Sequence, residues 1–300
     1  MNSDPRDAAL GIDVGGTKAA GVVIDAQGSV LRSATVPTPT TSATDFVEAI
    51  TSLCDELGGG PSLPLGIGMP GLVNLDGVLV SSPHLGCCVG LDLADTFRER
   101  RVVVRNDAEG ALVAEQRLGA AKGIEDALLL TIGTGIGGAL LMGGVLQCGA
   151  HGFAGEPGHL CVVPDGEACP CGQRGCFERY VSGPALARLG RRSGLGGEDL
   201  DGVEVMAMAE AGDPMALSAV ATMGAWLGRG LASIVAVLDP GVILLGGGTG
   251  SASELLCEAA RGALANFLMG GEAREVPEIR RTALGEQAGA IGMALVGVGT

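Results

Sequence analysis

Four potential metal ligands crowd into one short segment of the chain. They are His159, Cys169, Cys171 and Cys176, and they lie within residues 156–178. Thiolate sulfur and imidazole nitrogen suit tetrahedral Zn²⁺, and four protein ligands would close the metal to catalysis. The spacing therefore predicts a structural zinc site, against the simpler alternative of three incidental thiols. His151 and Cys161 are nearby rival ligands, but their spacing fits less well.

A carboxylate stands where a predicted strand ends and a helix begins. Asn106 and Asp107 follow the apolar run RVVV and precede AEGALVAEQRLG, which has helical spacing. Asp107 would thus lie at the carboxyl edge of a strand, beside the positive end of a helix. This position suits a catalytic carboxylate, and the alternative is an ordinary helix N-cap.

Three glycine-rich turns could bring backbone N–H groups close to an oxyanion. They are DVGGTK, TIGTGIGG and LGGGTG, each placed at the end of an apolar run. The first turn is followed by a strand rather than a helix, so it is no dinucleotide fingerprint, and a Walker loop is absent from the sequence. Together the turns predict a nucleotide-binding set: Asp13, Gly15, Gly16, Thr17, Lys18, Thr131, Gly133, Thr134, Gly135, Gly247 and Gly248.

The elements that would position these residues occur in two similar cycles. The opening ALGIDVGGTKAAGVVID and the later ALLLTIGTGIGGALLMGGVLQ both read as strand, glycine turn, strand, which indicates an internal duplication. Periodicity predicts helices over 43–57, 183–190, 203–211, 214–238, 252–269 and 287–298, and further strands at LPLGIGM, RVVV, GVILL and VPEIRRTAL.

Composition sets the broad class of protein. The 300 residues are 47% hydrophobic and carry a formal charge of −15, which argues against nucleic acid as the main partner. The N-terminal residues lack an apolar signal core, and the most apolar run, LASIVAVLDPGVILL, is interrupted and too short to span a bilayer. These features predict a cytoplasmic protein without a membrane partner.

Nine unevenly spaced cysteines do not form a disulfide framework in a cytosolic chain. Three belong to the predicted zinc site. The other six are interpreted as small buried apolar residues, namely Cys54, Cys87, Cys88, Cys148, Cys161 and Cys257.

These motifs resemble the ROK family of bacterial sugar kinases, open reading frames and repressors. DVGGTK, RNDAEGALVAE, TIGTGIGG, GEPGH and CPCGQRGCFE stand in that family's order, and the resemblance runs from about Leu10 to Gly297. It implies an α/β fold of the actin/hexokinase-like (ribonuclease H-like) duplicated type, with two lobes around a cleft. The expected small lobe is 1–107 plus 287–300, and the expected large lobe is 108–286 with the zinc segment 156–178.

The resemblance also implies roles for individual residues. Asp107 would be the catalytic base, and zinc would be held by the four ligands named above. The expected substrate is a free hexose, phosphorylated at its 6-OH by ATP with Mg²⁺. The implied sugar ligands are Gly71, Asn106, Asp107, Glu156, His159 and Glu178.

Two segments depart from the family's usual residues. His84-Leu-Gly-Cys87 replaces Asn-Leu-Gly-Trp, and Ala108-Glu109 replaces Ala-Asn, so both changes touch sugar specificity. Glucose is the expected substrate, with N-acetylmannosamine, another amino sugar or fructose as alternatives.

The alternative of a different class is a sugar-sensing regulatory protein without kinase activity. A repressor of this family would need a helix-turn-helix before the first lobe, and only about a dozen residues precede Asp13. We therefore expect an enzyme with sugar and ATP as its ligands, assembled as a homodimer or higher homo-oligomer.

Overall fold

The computed structural model describes residues 8–247 and 253–299. The strands are β1 Ala9–Val14, β2 Lys18–Ile24, β3 Val30–Pro37, β4 Leu65–Met69, β5 Leu72–Val73, β6 Leu79–Ser81, β7 Val102–Asn106, β8 Ala127–Ile132, β9 Ile136–Met142, β10 Val145–Leu146, β11 Val242–Gly246 and β12 Glu278–Arg281. The helices are α1 Ala43–Glu56, α2 Leu93–Thr96, α3 Asp107–Leu118, α4 Gly183–Arg192, α5 Gly202–Glu210, α6 Pro214–Leu238, α7 Glu254–Phe267 and α8 Ala288–Val298.

Two five-stranded sheets repeat one topology. The first has the order β3-β2-β1-β4-β7 and the second the order β10-β9-β8-β11-β12. In each sheet the central strand pairs antiparallel with the strand that follows it and parallel with a later strand, as β1 does with β2 and β4 and β8 does with β9 and β11. The predicted internal duplication is confirmed.

The chain divides into two compact units. Unit 1 comprises 8–123, 146–154 and 284–299, and unit 2 comprises 124–145 and 155–283 of the described residues. This division differs from the predicted boundary after Asp107, because α3 packs along α8 and so remains with the first sheet.

Glycines allow α8 to lie against the backbone of unit 1. A Cβ at Gly292 would clash with the carbonyl of Gly110 in α3, and a Cβ at Gly66 in β4 would clash with the carbonyl of Met293. Such contacts cannot be relieved by a side-chain rotation, since backbone atoms form both sides. They fix α3, whose first residue is Asp107, relative to the strand ends of unit 1.

Helix α1 shows how the sequence pattern becomes structure. Ser42 caps it by accepting a hydrogen bond from the backbone N–H of Asp45, and Phe46, Ile50 and Leu53 bury one face. The predicted helix over 43–57 is confirmed to within one residue.

Helix α6 is the core helix of unit 2. Among the described residues it is the one helix that is long and apolar enough to cross a membrane, but 56% of its most apolar window is buried inside the protein. Leu227 and Leu231 pack there with Leu256 and Leu264 of α7. A mostly buried core helix of a soluble protein has this same composition.

The six remaining cysteines are not uniformly buried. Cys54, Cys88 and Cys257 are buried, as predicted. Cys87 and Cys148 are only half-buried and Cys161 is exposed, so the interpretation as buried apolar residues is wrong for these three.

Candidate active site

Asp107 is the first residue of α3 and directly follows β7. Asn106 is the N-cap of that helix, and both its Oδ1 and the Oδ1 of Asp107 lie 2.9 Å from the backbone N–H of Ala108. Burial raises the pKa of Asp107 to about 6, although its hydrogen bond to the helix N-terminus lowers it. The carboxylate is therefore ionised at neutral pH but close enough to its pKa to exchange a proton.

Asn106 also connects the helix start to a neighbouring turn. Its Nδ2 donates to the carbonyl oxygen of Gly71 at 3.0 Å. Gly71 has φ +124°, and a Cβ there would clash with the carbonyl of Ser81, so glycine is required. Within unit 1 the structure thus brings together three predicted sugar-site residues, Gly71, Asn106 and Asp107.

Asp13 lies close enough to Asp107 for their charges to interact. Burial, and then the charge of Asp107, raise the pKa of Asp13 to about 7, and the charge of Lys18 opposes this shift. A Cβ at Gly289 of α8 would clash with the Asp13 carboxylate, so the space beside this acid depends on that glycine. The two carboxylates form one electrostatically linked pair.

The turn from Asp13 to Lys18 is closed by its own backbone. The N–H of Gly15 donates to the carbonyl of Lys18 at 2.9 Å, and Thr17 and Lys18 point to solvent. The Lys18 ammonium contacts Glu286 Oε2 at 2.9 Å, an exposed ion pair of small energetic weight. Gly16 is partly exposed, and the side chain of His84 lies beside its Cβ position.

In unit 2 the second glycine turn follows β8. Gly133 and Gly135 are joined by a backbone hydrogen bond of 2.9 Å, and the carbonyl of Gly133 accepts from the N–H of Gly183 at the start of α4. Gly247, with φ +112°, ends the adjacent strand β11, where a Cβ would clash with the carbonyl of Ile132. One edge of the sheet therefore brings together five predicted nucleotide-site residues, namely Thr131, Gly133, Thr134, Gly135 and Gly247. The sixth, Gly248, lies outside the described residues.

A cavity of about 510 Å³ opens beside this turn. Its walls come from the Gly133 turn, from α4 and from the start of α5. The lining residues are Gly133, Thr134, Gly183, Pro184, Ala187, Arg191, Leu200, Asp201, Gly202 and Val203. Arg191 is held by donating to the carbonyl of Leu200 at 2.9 Å.

The sequence interpretation missed this cavity, since only two of its residues belong to a predicted loop. The nearest local signal is Ser182-Gly-Pro. Ser182 caps α4 by accepting from the N–H of Ala185, with proline in the first turn.

The four predicted zinc ligands converge in unit 2. One ligand atom from each of His159, Cys169, Cys171 and Cys176 lies within 4.8 Å of all the others. The sulfurs of Cys171 and Cys176 are 3.6 Å apart, and Cys169 Sγ is 4.0 Å from His159 Nδ1. A tetrahedral zinc with bonds of about 2.3 Å needs sulfurs about 3.8 Å apart, so this donor set fits the metal.

The rival ligand Cys161 is not part of this four-residue cluster of the described chain, although it pairs by a β-bridge with Cys176. His151 belongs to unit 1 and is likewise not a member. Burial, and then a hydrogen bond to Glu178, raises the pKa of the Cys169 thiol, so this group must lose a proton to become a metal ligand.

Glu156, His159 and Glu178 lie at the two ends of the zinc segment. Pro157–His159 is a short 3-10 turn, in which the N–H of His159 donates to the carbonyl of Glu156. Glu178 Oε1 accepts from the Cys169 thiol at 3.0 Å, and its other oxygen fills the space that a Cβ at Gly135 would need. The predicted sugar-binding acid thus touches both the zinc cluster and the glycine turn.

The family departure at Glu109 places a carboxylate inside unit 1. Glu109 is only 3% exposed, and burial raises its pKa. Arg105 Nε lies 3.9 Å from its Oε2, and the thiol of Cys148 hydrogen-bonds to it. Arg105 thus offsets the buried charge of Glu109 within the first turn of the helix that starts at Asp107.

Comparison with known proteins matches residues 9–297 to the ROK family. A glucokinase of Streptomyces coelicolor is 34% identical over 305 aligned residues, covering 95% of this chain and 96% of that protein. An N-acetylgalactosamine kinase of a Shewanella species is 32% identical over 308 residues, covering 96% of each.

Among solved structures, a ROK family glucokinase from Streptomyces griseus in complex with glucose and AMPPNP is similar over 96% of this chain and 98% of that one. The TM-score is 0.86 and the sequence identity is 34%.

Proposed function

The chain belongs to the ROK family, and we infer from this membership that it is an ATP-dependent sugar kinase that converts glucose to glucose 6-phosphate. The observation that carries the proposal is the end-to-end likeness to glucokinases, one of them bound to glucose and the nucleotide AMPPNP. The duplicated sheets and the carboxylate at the start of α3 agree with it.

In this proposal Asp107 is the catalytic base. It accepts the proton of the sugar 6-OH as that oxygen attacks the γ-phosphorus of ATP, so the bond to the β-phosphate oxygen breaks and ADP leaves. A pKa of about 6 supports the role, since the group is ionised at neutral pH and still basic. Asn106 holds the helix start in place through Ala108 and Gly71.

The phosphates of ATP are assigned to the two glycine turns. The N–H groups of Gly15 and Gly133 close the two turns. Those of Gly16 and Thr17, and of Thr134 and Gly135, would face the oxyanions, with Gly247 at the same edge of unit 2 and Lys18 supplying positive charge. Mg²⁺ supplies a counter-charge to the phosphates when bound, and Asp13 is the carboxylate of the first turn that would hold it. The cavity between α4 and α5 has the volume and the neighbouring turn expected of an adenosine site.

Sugar hydroxyls are assigned to Gly71, Asn106 and Asp107 in unit 1 and to Glu156, His159 and Glu178 in unit 2. Zinc bound by His159, Cys169, Cys171 and Cys176 supplies a structural crosslink between the ends of the sugar-binding segment. His159 Nδ1 faces the thiols, which leaves Nε2 to donate to a sugar hydroxyl in a fixed tautomer.

The remaining assignments rest on sequence character and family likeness. We expect a cytoplasmic protein that acts as a homodimer or a higher homo-oligomer. Nucleic acid and membrane are not expected partners, given the charge of −15 and the buried position of α6.

A panel of free sugars with MgATP and coupled detection of ADP tests the proposal. We expect the highest kcat/KM with glucose, and lower values with N-acetylmannosamine, N-acetylgalactosamine, other amino sugars and fructose. Amino sugars belong in the panel because the chain is 32% identical to an N-acetylgalactosamine kinase, and a tenfold preference for one of them would reassign the substrate. ADP release with no sugar at all would contradict the sugar-kinase proposal.

A further inference from the structure

Two adjacent cysteines of unit 1 hold their sulfur atoms 3.6 Å apart. Cys87 and Cys88 lie in the short 3-10 turn Gly86–Cys88. Cys88 is fully buried in the apolar core, and Cys87 is half-buried. We propose that this pair is a redox modification site, at which a peroxide closes a vicinal disulfide that reversibly lowers the activity of the enzyme.

The different burial of the two thiols sets the order of the reaction. The half-buried sulfur of Cys87 attacks a peroxide oxygen, the O–O bond breaks, and a sulfenic acid and one water form. The Cys88 sulfur then attacks the sulfenic sulfur, so that the S–S bond forms as the S–O bond breaks. The departing hydroxide leaves with the Cys88 proton as a second water, and hydrogen peroxide has been reduced by the two electrons of the thiols.

Cys88 is suited to be the second thiol. Burial, and then its contact with Cys87, raises the pKa of the Cys88 thiol to about 12, so it stays protonated and inert towards peroxide in bulk solvent. Its sulfur nevertheless lies beside the atom that it must attack.

The disulfide would be strained and therefore easily reduced. Sequential Cα atoms are about 3.8 Å apart, below the usual 4.4–6.8 Å of disulfides, and the sulfurs must approach to about 2.05 Å. Strained disulfides have more oxidising potentials and are the labile, regulatory ones. In a reducing cytosol the pair would be dithiol, closing only under oxidative stress.

The segment that leads directly into this turn, residues 82–85, lies beside both substrate loops of unit 1. Ser82 Oγ accepts from the backbone N–H groups of His84 and Leu85, and the Ser82 backbone lies beside Gly71. The ring of His84 lies 3.5 Å from the Cβ position of Gly16. Closing the disulfide must move the turn, and so it should displace the loops assigned to sugar and to phosphate.

The inhibition rests on the proposed kinase function, whereas formation of the bond does not, so the experiment reads them separately. The purified full chain is titrated with hydrogen peroxide, and a peptide that carries Cys87 and Cys88 but not Cys54 is analysed by mass spectrometry. We expect this peptide to become two hydrogen atoms lighter before the peptide with Cys169, Cys171 and Cys176 changes. In parallel, kcat/KM for glucose should fall about tenfold, as misplaced binding groups cause, and dithiothreitol should restore it.

Matched variants separate this pair from the other thiols. Cys88→Ala removes the second thiol, so both the mass change and the dithiothreitol-reversible loss should disappear. Cys54→Ala removes a thiol buried in the same core and should respond like the wild type.

Absence of the lighter peptide at doses that oxidise the zinc-cluster thiols would overturn the modification site. A disulfide that forms without changing kcat/KM would overturn its regulatory effect. If Cys88→Ala does not fold, peptide mapping and dithiothreitol reversal on the wild type decide the question alone. A wild type without sugar-kinase activity before treatment would count against the proposed function only.

Discussion

Asp13 and Asp107 are two neighbouring carboxyl groups whose ionised forms are disfavoured by their surroundings. Both carboxyl groups have raised pKa values, about 7 and about 6, and burial is the largest cause for each. The charge of Asp107 adds to the shift at Asp13. Holding two acids together is unfavourable for folding at neutral pH, and such costs are typical of functional sites.

The first prediction concerns Asp107→Asn. The amide cannot accept the proton of the sugar hydroxyl, so we expect kcat to fall by roughly 10²- to 10⁴-fold while the fold is retained. Coupled ADP detection measures the rate, and circular dichroism checks the fold. Asp199→Asn, at an exposed position, should keep wild-type activity. More than a tenth of wild-type turnover in Asp107→Asn would disprove the assignment of the base.

The second prediction concerns the pH dependence of stability at Asp13. Its folded pKa of about 7 lies above the ordinary value of 3.8. Protonation of Asp13 therefore stabilises the folded state, and this contribution to the unfolding free energy is fully present below pH 3.8. It is lost as pH rises from 3.8 to about 7, because the unfolded state releases its proton in this range while the folded state still holds it. Asp13→Asn stays neutral, so it should raise Tm relative to wild type at pH 8 and have little effect at pH 4.

Thermal unfolding at the two pH values measures this difference, with Asp199→Asn as the exposed control. An equal shift of Tm at both pH values would show that Asp13 is not the titrating group. Because Asp13 is also assigned to the nucleotide site, the more stable variant should be less active.

The residues that the sequence predicted best are those that act locally. His159, Cys169, Cys171 and Cys176 lie close in sequence, so their spacing alone indicated a shared metal, and their ligand atoms do converge. The cavity near Arg191 was not predicted, because a loop and two different helices form it and its residues have no diagnostic type. Likewise, spacing gave no sign that Cys169 would hydrogen-bond to Glu178.

At the scale of elements, the packing of α8 on α3 controls where Asp107 stands. A Cβ at Gly292 would clash with the carbonyl of Gly110, and neither backbone can yield without moving its helix. We therefore predict that Gly292→Ala lowers the unfolding free energy by about 1–3 kcal/mol or more. It should also reduce kcat, because α3 carries Asp107 at its first position.

Urea unfolding and steady-state kinetics measure the two effects. Gly262→Ala is the matched control, since Gly262 is an exposed helical glycine of α7 with open space around its Cβ position. That change should be neutral or stabilising by up to about 1 kcal/mol. Equal stability of Gly292→Ala and wild type would mean that the two helices are not packed as described.

The zinc segment is a second element whose order matters for function. Cys171→Ala removes one ligand of the cluster that lies between Glu156 and Glu178. We predict loss of zinc, a higher KM for sugar and a lower kcat, while ATP binding and global helicity change little, since the large core folds without the metal. Chelation of the wild type should have the same effect.

Elemental analysis and sugar titrations check this prediction. Cys161→Ala is the matched control, an exposed thiol of the same segment outside the four-ligand cluster, and it should retain zinc. A fully active wild-type sample with far less than one zinc per chain would refute the zinc assignment.

Helices with a clear apolar face were predictable as elements, and their limits were nearly right. In helix α1 the N-cap and the buried apolar face come from one short stretch of sequence, so local patterns are enough to predict the helix. The short pair β5 and β6 was not predicted, because two- and three-residue strands carry too few positions for a periodic pattern.

For the whole molecule, the charge of −15 sets an expectation about partners. Backbone phosphates would be repelled rather than attracted by such a surface. We predict that the protein does not bind DNA in a sequence-dependent way. A gel-shift assay with DNA fragments at moderate salt measures this, and a specific shift at sub-micromolar protein would contradict the prediction.

The actin/hexokinase-like fold predicted from the sequence is confirmed, and the reason is repetition. Both halves carry an apolar strand, a glycine turn and a second strand, and both build the same sheet order. The division of the chain was harder to predict, because it depends on backbone contacts between α3 and α8 that are far apart in sequence.

The late position of α8 in the chain has a consequence for biosynthesis. Most of unit 1 precedes unit 2 in the chain, yet residues 284–299 are translated only after unit 2. Helix α8 covers an apolar surface of unit 1 that is formed by Ala9, Val22, Ile24 and Ala114, and it does so with Ala290, Ile291 and Ala294. That surface stays uncovered while the ribosome makes the intervening residues. Unit 2 can therefore complete its folding first, and the nascent unit 1 must be kept from aggregating until α8 emerges.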